Sequence, residues 1–302
     1  MEANSATIAT GRTRRRTVRR YPPPRAWHDH RVTKLADAHV VITGGSSGIG
    51  LETARIAASR GARVSLIARD ADRLAAAAGS IVGARTAAAD VTDPDAVRGA
   101  IAELGDASGP CDVLVTSAGS SHPGYFEQLD DAVFRDQMDV DYFGTLHAIR
   151  AVVPSMIERH RGHLVTVSST AGLIGVYGYS AYAPAKFAVR GLTETLRAEL
   201  LPYGIVVSCV YPPDTRTPGF DAEHALKPPE TERISAAIKP RDADHVARAI
   251  VTGIEKDRLV ITADVQTAAL ARAAGLLGPY LRRTVDSQVR KVRKTRTTRD
   301  QS

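Results

Sequence analysis

Short apolar runs rich in β-branched residues recur along the chain at 39–42, 63–68, 85–89, 113–115, 163–167, 206–210 and 259–261. Runs of this length and make-up predict buried strands. Between them, apolar residues return at the helical period over 49–60, 94–104, 130–160, 182–200 and 242–257. Asp93-Pro94 carries a start signal for one of these helices, with aspartate as the cap and proline at the first helical position. Strands and helices in alternation predict one parallel sheet of seven strands, covered by helices on both faces. Beyond the last strand, 265–281 is rich in Ala and Leu and interrupted by Arg272. At ~1.5 Å per residue, a helix there is too short to span a ~30 Å hydrocarbon core. It can lie in a membrane interface, or pack on the main domain or on a second subunit.

Composition changes this picture little. The chain has 302 residues, 43% of them apolar, enough for the core of one large α/β domain. Cys111 and Cys209 fall in or beside strand-like runs and are expected as buried thiols, which fits a reducing, cytoplasmic compartment. Charge changes it more. The formal net charge of +7 divides into +7 for residues 1–34, +6 for 282–302 and −6 for all that lies between. The basicity therefore belongs to the two ends. A solvated tail is favoured there over contact with an acidic membrane surface, and nucleic acid is not the expected partner. Residues 1–34 are rich in Arg, lead into Tyr21-Pro22-Pro23-Pro24 and hold no run resembling a signal peptide, so disorder is expected. The organisation read from this is a tail over 1–34, a domain over 35–264, and an amphipathic segment with a basic tail over 265–302.

Candidate chemistry starts where the first strand ends. Thr43-Gly44-Gly45-Ser46-Ser47-Gly48-Ile49-Gly50 stands between a strand and a helix. Glycines there allow a tight turn and close backbone approach, and the helix N-terminus faces an anion, which is the context a dinucleotide pyrophosphate requires. The second strand ends at Ala68-Arg69, with Arg73 one turn on. A guanidinium suits a ribose 2′-phosphate, where a carboxylate would suit a free hydroxyl, so NADPH is favoured over NADH. Asp70 and Asp72 are alternative partners for these two arginines. Tyr182 and Lys186 are four apart in a helix and share one face, so the ammonium can favour the phenolate. Ser169 follows the strand-like run 163–167, from whose carboxyl end it can reach a substrate oxygen.

Thr43-Gly44-x-x-x-Gly48-x-Gly50, Ser117-Ala118-Gly119, Ser169 and Tyr182-x-x-x-Lys186, in this order and spacing, make residues 37–262 similar to the short-chain dehydrogenase/reductase family. The run 211–220 (Tyr-Pro-Pro-Asp-Thr-Arg-Thr-Pro-Gly-Phe), Lys227-Pro228, Glu230-Thr231 and the run 187–192 resemble one branch of it, which reduces the 3-keto group of long-chain sphingoid bases. The resemblance implies a single doubly wound Rossmann-type domain that uses NADPH to reduce a lipid ketone, 3-ketodihydrosphingosine, to dihydrosphingosine. It implies that Tyr182 gives a proton to the carbonyl oxygen, Ser169 orients that oxygen, and Lys186 holds the cofactor ribose and lowers the tyrosine pKa. Ser168 is expected to point to the other side of the strand. The implied cofactor contacts are Gly44, Ser46, Ser47, Gly48, Ile49, Gly50, Arg69, Arg73, Asp90, Val91, Ala118, Gly119, Tyr182, Lys186, Pro212 and Thr217. No metal is implied; peripheral membrane contact and self-association are compatible with it.

The chain departs from the family pattern in three places. Asp141 falls on an Asn that supports a water linked to the lysine; as a fourth member of the catalytic set it accepts hydrogen bonds but cannot donate as an amide does. Thr116-Ser117 replaces an Asn-Asn pair, and Pro213 replaces a Gly, the latter change being shared with the narrower branch. The loop 214–239 is long and rich in proline, as functional lids are, with Phe220, His224, Leu226 and Ile234 as candidates to cover a lipid chain. The alternatives are a reductase or dehydrogenase for another hydrophobic ketone or alcohol, and a cofactor-binding protein whose catalysis has weakened.

Overall fold

Strand β1 (His39–Thr43) is buried from end to end, and the sheet grows outward from it on both sides. The structure is a computed structural model that describes residues 33–236 and 239–300. After β1 come α1 (Gly48–Ser59), β2 (Arg63–Ala68), α2 (Ala71–Gly79), β3 (Arg85–Ala88), α3 (Pro94–Ser108) and β4 (Val113–Thr116). The second half holds α4 (Asp131–Gln137), α5 (Gly144–Arg159), β5 (Gly162–Val167), α6 (Tyr182–Leu200) and β6 (Ile205–Tyr211). The chain ends with β7 (Thr215–Arg216), α7 (Pro218–His224), α8 (Pro229–Ser235), β8 (Arg241–Asp242), α9 (Ala243–Glu255), β9 (Val260–Thr262) and α10 (Val265–Asp300).

Seven strands form one parallel sheet in the order β3-β2-β1-β4-β5-β6-β9, while β7 and β8 pair separately. All seven fall within two residues of the predicted apolar runs. Successive side chains of a strand point to opposite faces. Val40 and Ile42 therefore join the core under α1, α2 and α9, with Ala54, Leu74 and Ile250, while Val41 joins the core under α3 and α5, with Val97, Ile149 and Val152. Burial on both faces explains why the strands read as continuous apolar runs rather than alternating ones. Each fully buried Ile or Leu here contributes about 1.5–3 kcal/mol relative to exposure. Two histidines start strands within this core: His39 bonds Ser65 across to β2 and His163 bonds Ser208 across to β6, each at 2.7 Å. Burial, opposed by Asp257, pushes the His163 imidazole down to about 4, so it stays neutral in the core.

The strand order reverses between β1 and β4. In an open parallel sheet, the crevice outside the carboxyl ends at such a point is where ligands bind.

Three features differ from the sequence reading. The helix expected over 130–160 contains a π-helical turn, Met138–Phe143, between α4 and α5. Its extra residue is invisible to a pattern read at 3.6 residues per turn. Helix α10 runs to Asp300, through the segment expected as a basic tail. Near its start Leu270, Ala271 and Ala274 pack against Leu173, Cys209 and Tyr211, so this part follows the domain-packing alternative. Thirdly, Thr33 Oγ1 donates to Asp257 Oδ1 at 2.7 Å, anchoring the end of the stretch expected as tail; residues 1–32, like 237–238 of the expected lid, lie outside the described residues. Both cysteines are free and buried. Among the described residues, no helix is long and apolar enough to cross a membrane.

Candidate active site

The glycine turn packs against the turn that follows β4. Gly44 has φ +69°, which disfavours a side chain, and a Cβ there would stand 2.6 Å from the backbone nitrogen of Ala118. A Cβ on Gly50 would overlap the Gly44 carbonyl oxygen. At the start of α1, Ser47 is extended and its side chain makes no capping bond. The first-turn N–H groups are thus left for another acceptor, and with the backbone this exposed the turn fits a pyrophosphate. Gly44, Ser46, Ser47, Gly48 and Ile49 all line a cavity of about 1070 Å³ over the carboxyl ends of the strands.

Near the ends of β2 and β3 that cavity is lined by both signs of charge. Arg69 and Arg73 line it with Asp90 and Val91. Arg69 Nη1 stands 3.6 Å from Asp90 Oδ2, an exposed pairing. Burial pushes the Asp90 carboxyl up, but bonds from Thr92 and the Arg69 guanidinium outweigh it and hold the group below the usual carboxylate range. Asp70, an alternative partner from sequence, caps α2 instead, accepting the Arg73 N–H at 3.0 Å.

The candidate reaction centre lies at the ends of β4 and β5. Ser168 Oγ donates to the Lys186 carbonyl oxygen at 2.9 Å, turned into the packing between strand and helix. Ser169 accepts the Ala171 N–H at 3.1 Å and lies close enough to the Tyr182 phenol to act to lower its pKa. Ser169, Tyr182 and Lys186 line the cavity. Lys186 Nζ is 5.5 Å from the Tyr182 ring centroid, donates to the Val167 carbonyl oxygen at 3.2 Å and forms an ion pair with Asp141 Oδ1 at 3.1 Å. Asp141, at the π-helical turn, is fully buried and its Oδ1 also accepts the Ser120 N–H at 3.2 Å. A Cβ at Gly119 would lie 2.6 Å from that carboxylate and 3.2 Å from the ammonium, so only glycine leaves room for the pair.

The ion pair corrects one sequence expectation. Burial raises the Tyr182 pKa more than Lys186 lowers it, and Asp141 adds to the rise, so the phenol is pushed up to about 12 rather than down. For Lys186 itself, burial acts to lower the pKa, but Asp141 and Tyr182 outweigh it and the ammonium is held charged. The second departure also has a visible cost: Thr116 Oγ1, where the family pattern has an amide, is buried without a hydrogen-bond partner among the described residues.

Pro212 and Thr217 close the site from the lid side and line the cavity. Thr217 caps α7 by accepting the Phe220 N–H at 3.1 Å, and a Cβ at Gly48 would touch its methyl group at 2.9 Å, so the lid begins directly over the glycine turn. Lys227, Glu230 and Thr231, quoted above only for their resemblance, are all buried. Thr231 Oγ1 donates to the Tyr177 carbonyl oxygen and Glu230 Oε2 accepts from the Tyr125 hydroxyl, both at 2.9 Å, which pins α8 across the cavity mouth. Of the lid candidates, Phe220 and Ile234 line the cavity; His224 stacks on Phe220, and Leu226 is 46% exposed. Sequence reasoning missed Tyr179, Asp214, Glu223 and, from α10, Leu270 as cavity residues. Tyr179, three residues before Tyr182 and just ahead of α6, was the signal available for the first of these.

Against known families, residues 38–226 match the model described as short chain dehydrogenase. The chain belongs to the short-chain dehydrogenase family. It is 41% identical over 269 residues to a 3-ketodihydrosphingosine reductase of Dictyostelium discoideum, covering 82% of this chain and 80% of that one. A 3-dehydrosphinganine reductase of Danio rerio is 42% identical over 227 residues, 72% of this chain and 68% of the relative. Among solved structures, a levodione reductase superposes with a TM-score of 0.71 at 26% identity, over 78% of this chain and 99% of that one. The protein is therefore an oxidoreductase of this family, with a nicotinamide cofactor as the family's reagent.

Proposed function

We propose that this short-chain dehydrogenase reduces the 3-keto group of a sphingoid base, 3-ketodihydrosphingosine to dihydrosphingosine, with NADPH as the preferred cofactor. The observation that carries the reading is the meeting of Tyr182, Ser169 and Lys186 on the wall of one cavity with the glycine turn. The two relatives' names support the substrate, and so do Ile174, Val176, Phe220, Ile234 and Leu270, which give the cavity apolar lining suited to an alkyl chain.

When bound, the dinucleotide supplies the hydride. Tyr182, protonated at neutral pH, gives its proton to the carbonyl oxygen as negative charge develops there. Ser169 donates a hydrogen bond to the same oxygen and holds it beside the phenol. Lys186, charged and fixed by Val167 and Asp141, would hold the cofactor ribose and offset part of the cost of the phenolate left behind. Asp141 acts through the lysine and is a positioning residue. The lid residues Phe220 and Ile234 cover the chain and keep water from the reacting carbon.

Arg69 carries the cofactor choice. Arg69→Ala is expected to lower the preference for NADPH over NADH, as the ratio of kcat/KM values, by about tenfold or more, the worth of a charge-assisted bond to the 2′-phosphate. A ratio equal to that of the wild type places the selectivity elsewhere. The substrate reading is tested by NADPH oxidation with 3-ketodihydrosphingosine against steroid and acyl ketones: the sphingoid ketone should be turned over fastest, and no turnover of it would remove this function.

A further inference from the structure

Behind the reaction centre lies a charged cluster that the mechanism above does not use. The Tyr179 ring lies 5.8 Å from the Tyr182 ring, and its hydroxyl donates to Glu223. Tyr179, Glu223 and Asp214 line the same cavity as Tyr182. Lys227 closes the cluster from the protein side: its side chain is 1% exposed, and its Nζ is 2.9 Å from Glu223 Oε1 and 4.0 Å from Asp214 Oδ2. It also sits 4.5 Å from the Phe220 ring centroid.

The cluster is not closed on itself. Two carboxylates share one ammonium, so with all three ionised this wall keeps an excess of negative charge. Tyr179 and Lys227 both approach the same oxygen of Glu223, Oε1, and Lys227 stands beyond hydrogen-bond reach of Asp214. A carboxylate can accept at about four positions, so both retain capacity toward the cavity. The Lys227 ammonium, aimed at the two acids, is itself buried without hydrogen-bond geometry to any described group. Burial raises the Asp214 pKa, Lys227 opposes this and Glu223 adds to it, as expected where like charges are crowded.

Resting on the function proposed above, the ligand chemistry is defined. The substrate is a 2-amino-1-hydroxy-3-ketone, with an ammonium on the carbon next to the carbonyl and a hydroxyl one carbon further. We infer that Glu223 and Asp214 bind that ammonium and so select 2-amino ketones over plain ketones, holding the carbonyl in register with Tyr182. An alkyl ketone without the amine enters the same apolar cavity but leaves the carboxylates without their cation.

The test compares 3-ketodihydrosphingosine with the same hydroxyketone bearing hydrogen in place of the amino group. Wild-type protein should prefer the amine by about tenfold to 100-fold in kcat/KM. Glu223→Gln keeps the acceptor for Tyr179 and removes the charge, and should lower that ratio about tenfold. Asp214→Asn, a second variant independent of the Tyr179 bond, should lower it in the same direction. Loss of folding or of positioning would depress both substrates and leave the ratio where it was. A ratio at the wild-type value in whichever of the two variants folds overturns the ammonium site while leaving the reductase reading intact. A wild-type protein that reduces other ketones but leaves the sphingoid ketone untouched overturns both.

Discussion

Tyr182→Phe is expected to lower turnover of the lipid ketone by about 100- to 10,000-fold, the usual contribution of a positioned general acid. The substitution removes one oxygen and keeps the ring that packs against Tyr179 and lies near the Lys186 ammonium. NADPH affinity, which the proposal assigns to the glycine turn, Arg69 and Lys186, should therefore change by less than about threefold. The check is single-turnover oxidation of bound NADPH alongside a fluorescence titration of the cofactor. Turnover equal to that of the wild type would remove the role assigned to the phenol; a matching loss of NADPH binding would show that the tyrosine is structural.

The second large effect is a change in the pH profile on Asp141→Asn. In the native protein, burial and the Asp141 charge raise the Tyr182 pKa against the pull of Lys186, to about 12. A general acid works while protonated, so the rate of ketone reduction should stay level up to pH ~10. Removing the carboxylate charge takes away one cause of the rise and leaves the lysine charge unopposed, so the phenol should lose its proton at lower pH. Lys186 also loses the partner that outweighs its burial, and its pKa falls too. Loss of the proton from either group slows ketone reduction. An alkaline limb should enter the measurable range in the variant, with the rate falling about tenfold per pH unit above it. Titratable groups facing the phenol from the surrounding elements are Lys186, Asp141, Glu223 and Tyr179, and only Asp141 is altered. A limb that does not move between the two proteins would show that the ion pair has no hold on the reacting proton.

Much of the fold was legible because burial on both faces leaves a simple mark. Each strand of the sheet is a short apolar run, and the glycine turn between β1 and α1 carries a spacing that only close backbone approach explains. The different partners of the two serines just past β5 were legible too: Ser168 Oγ turns to the Lys186 carbonyl oxygen, whereas Ser169 does not, although both residues border the cavity. The π-helical turn at Asp141 was not, since it changes the count of residues per turn without changing their type. Nor was the sign of the shift on Tyr182. Four-residue spacing places a lysine near the phenol, but how far both are taken out of water depends on neighbours distant in the chain, and the counter-charge of Asp141 comes from another helix. The same holds for Glu223, Asp214 and Lys227. Their pairing is set by how α7 and α8 fold back over Tyr179, with Thr231 and Glu230 pinned to residues 177 and 125.

The central claim is that a hydride reaches the carbonyl carbon of a sphingoid ketone while Tyr182 protonates its oxygen. The most direct measurement is mass spectrometry of the product formed from 3-ketodihydrosphingosine and NADPH carrying deuterium on the transferable position of its nicotinamide ring. The expected product is dihydrosphingosine with one deuterium, on the former carbonyl carbon, formed by the native protein and suppressed in Tyr182→Phe. Product without the label, or no product from the native protein while the labelled cofactor is consumed on another ketone, would contradict the account.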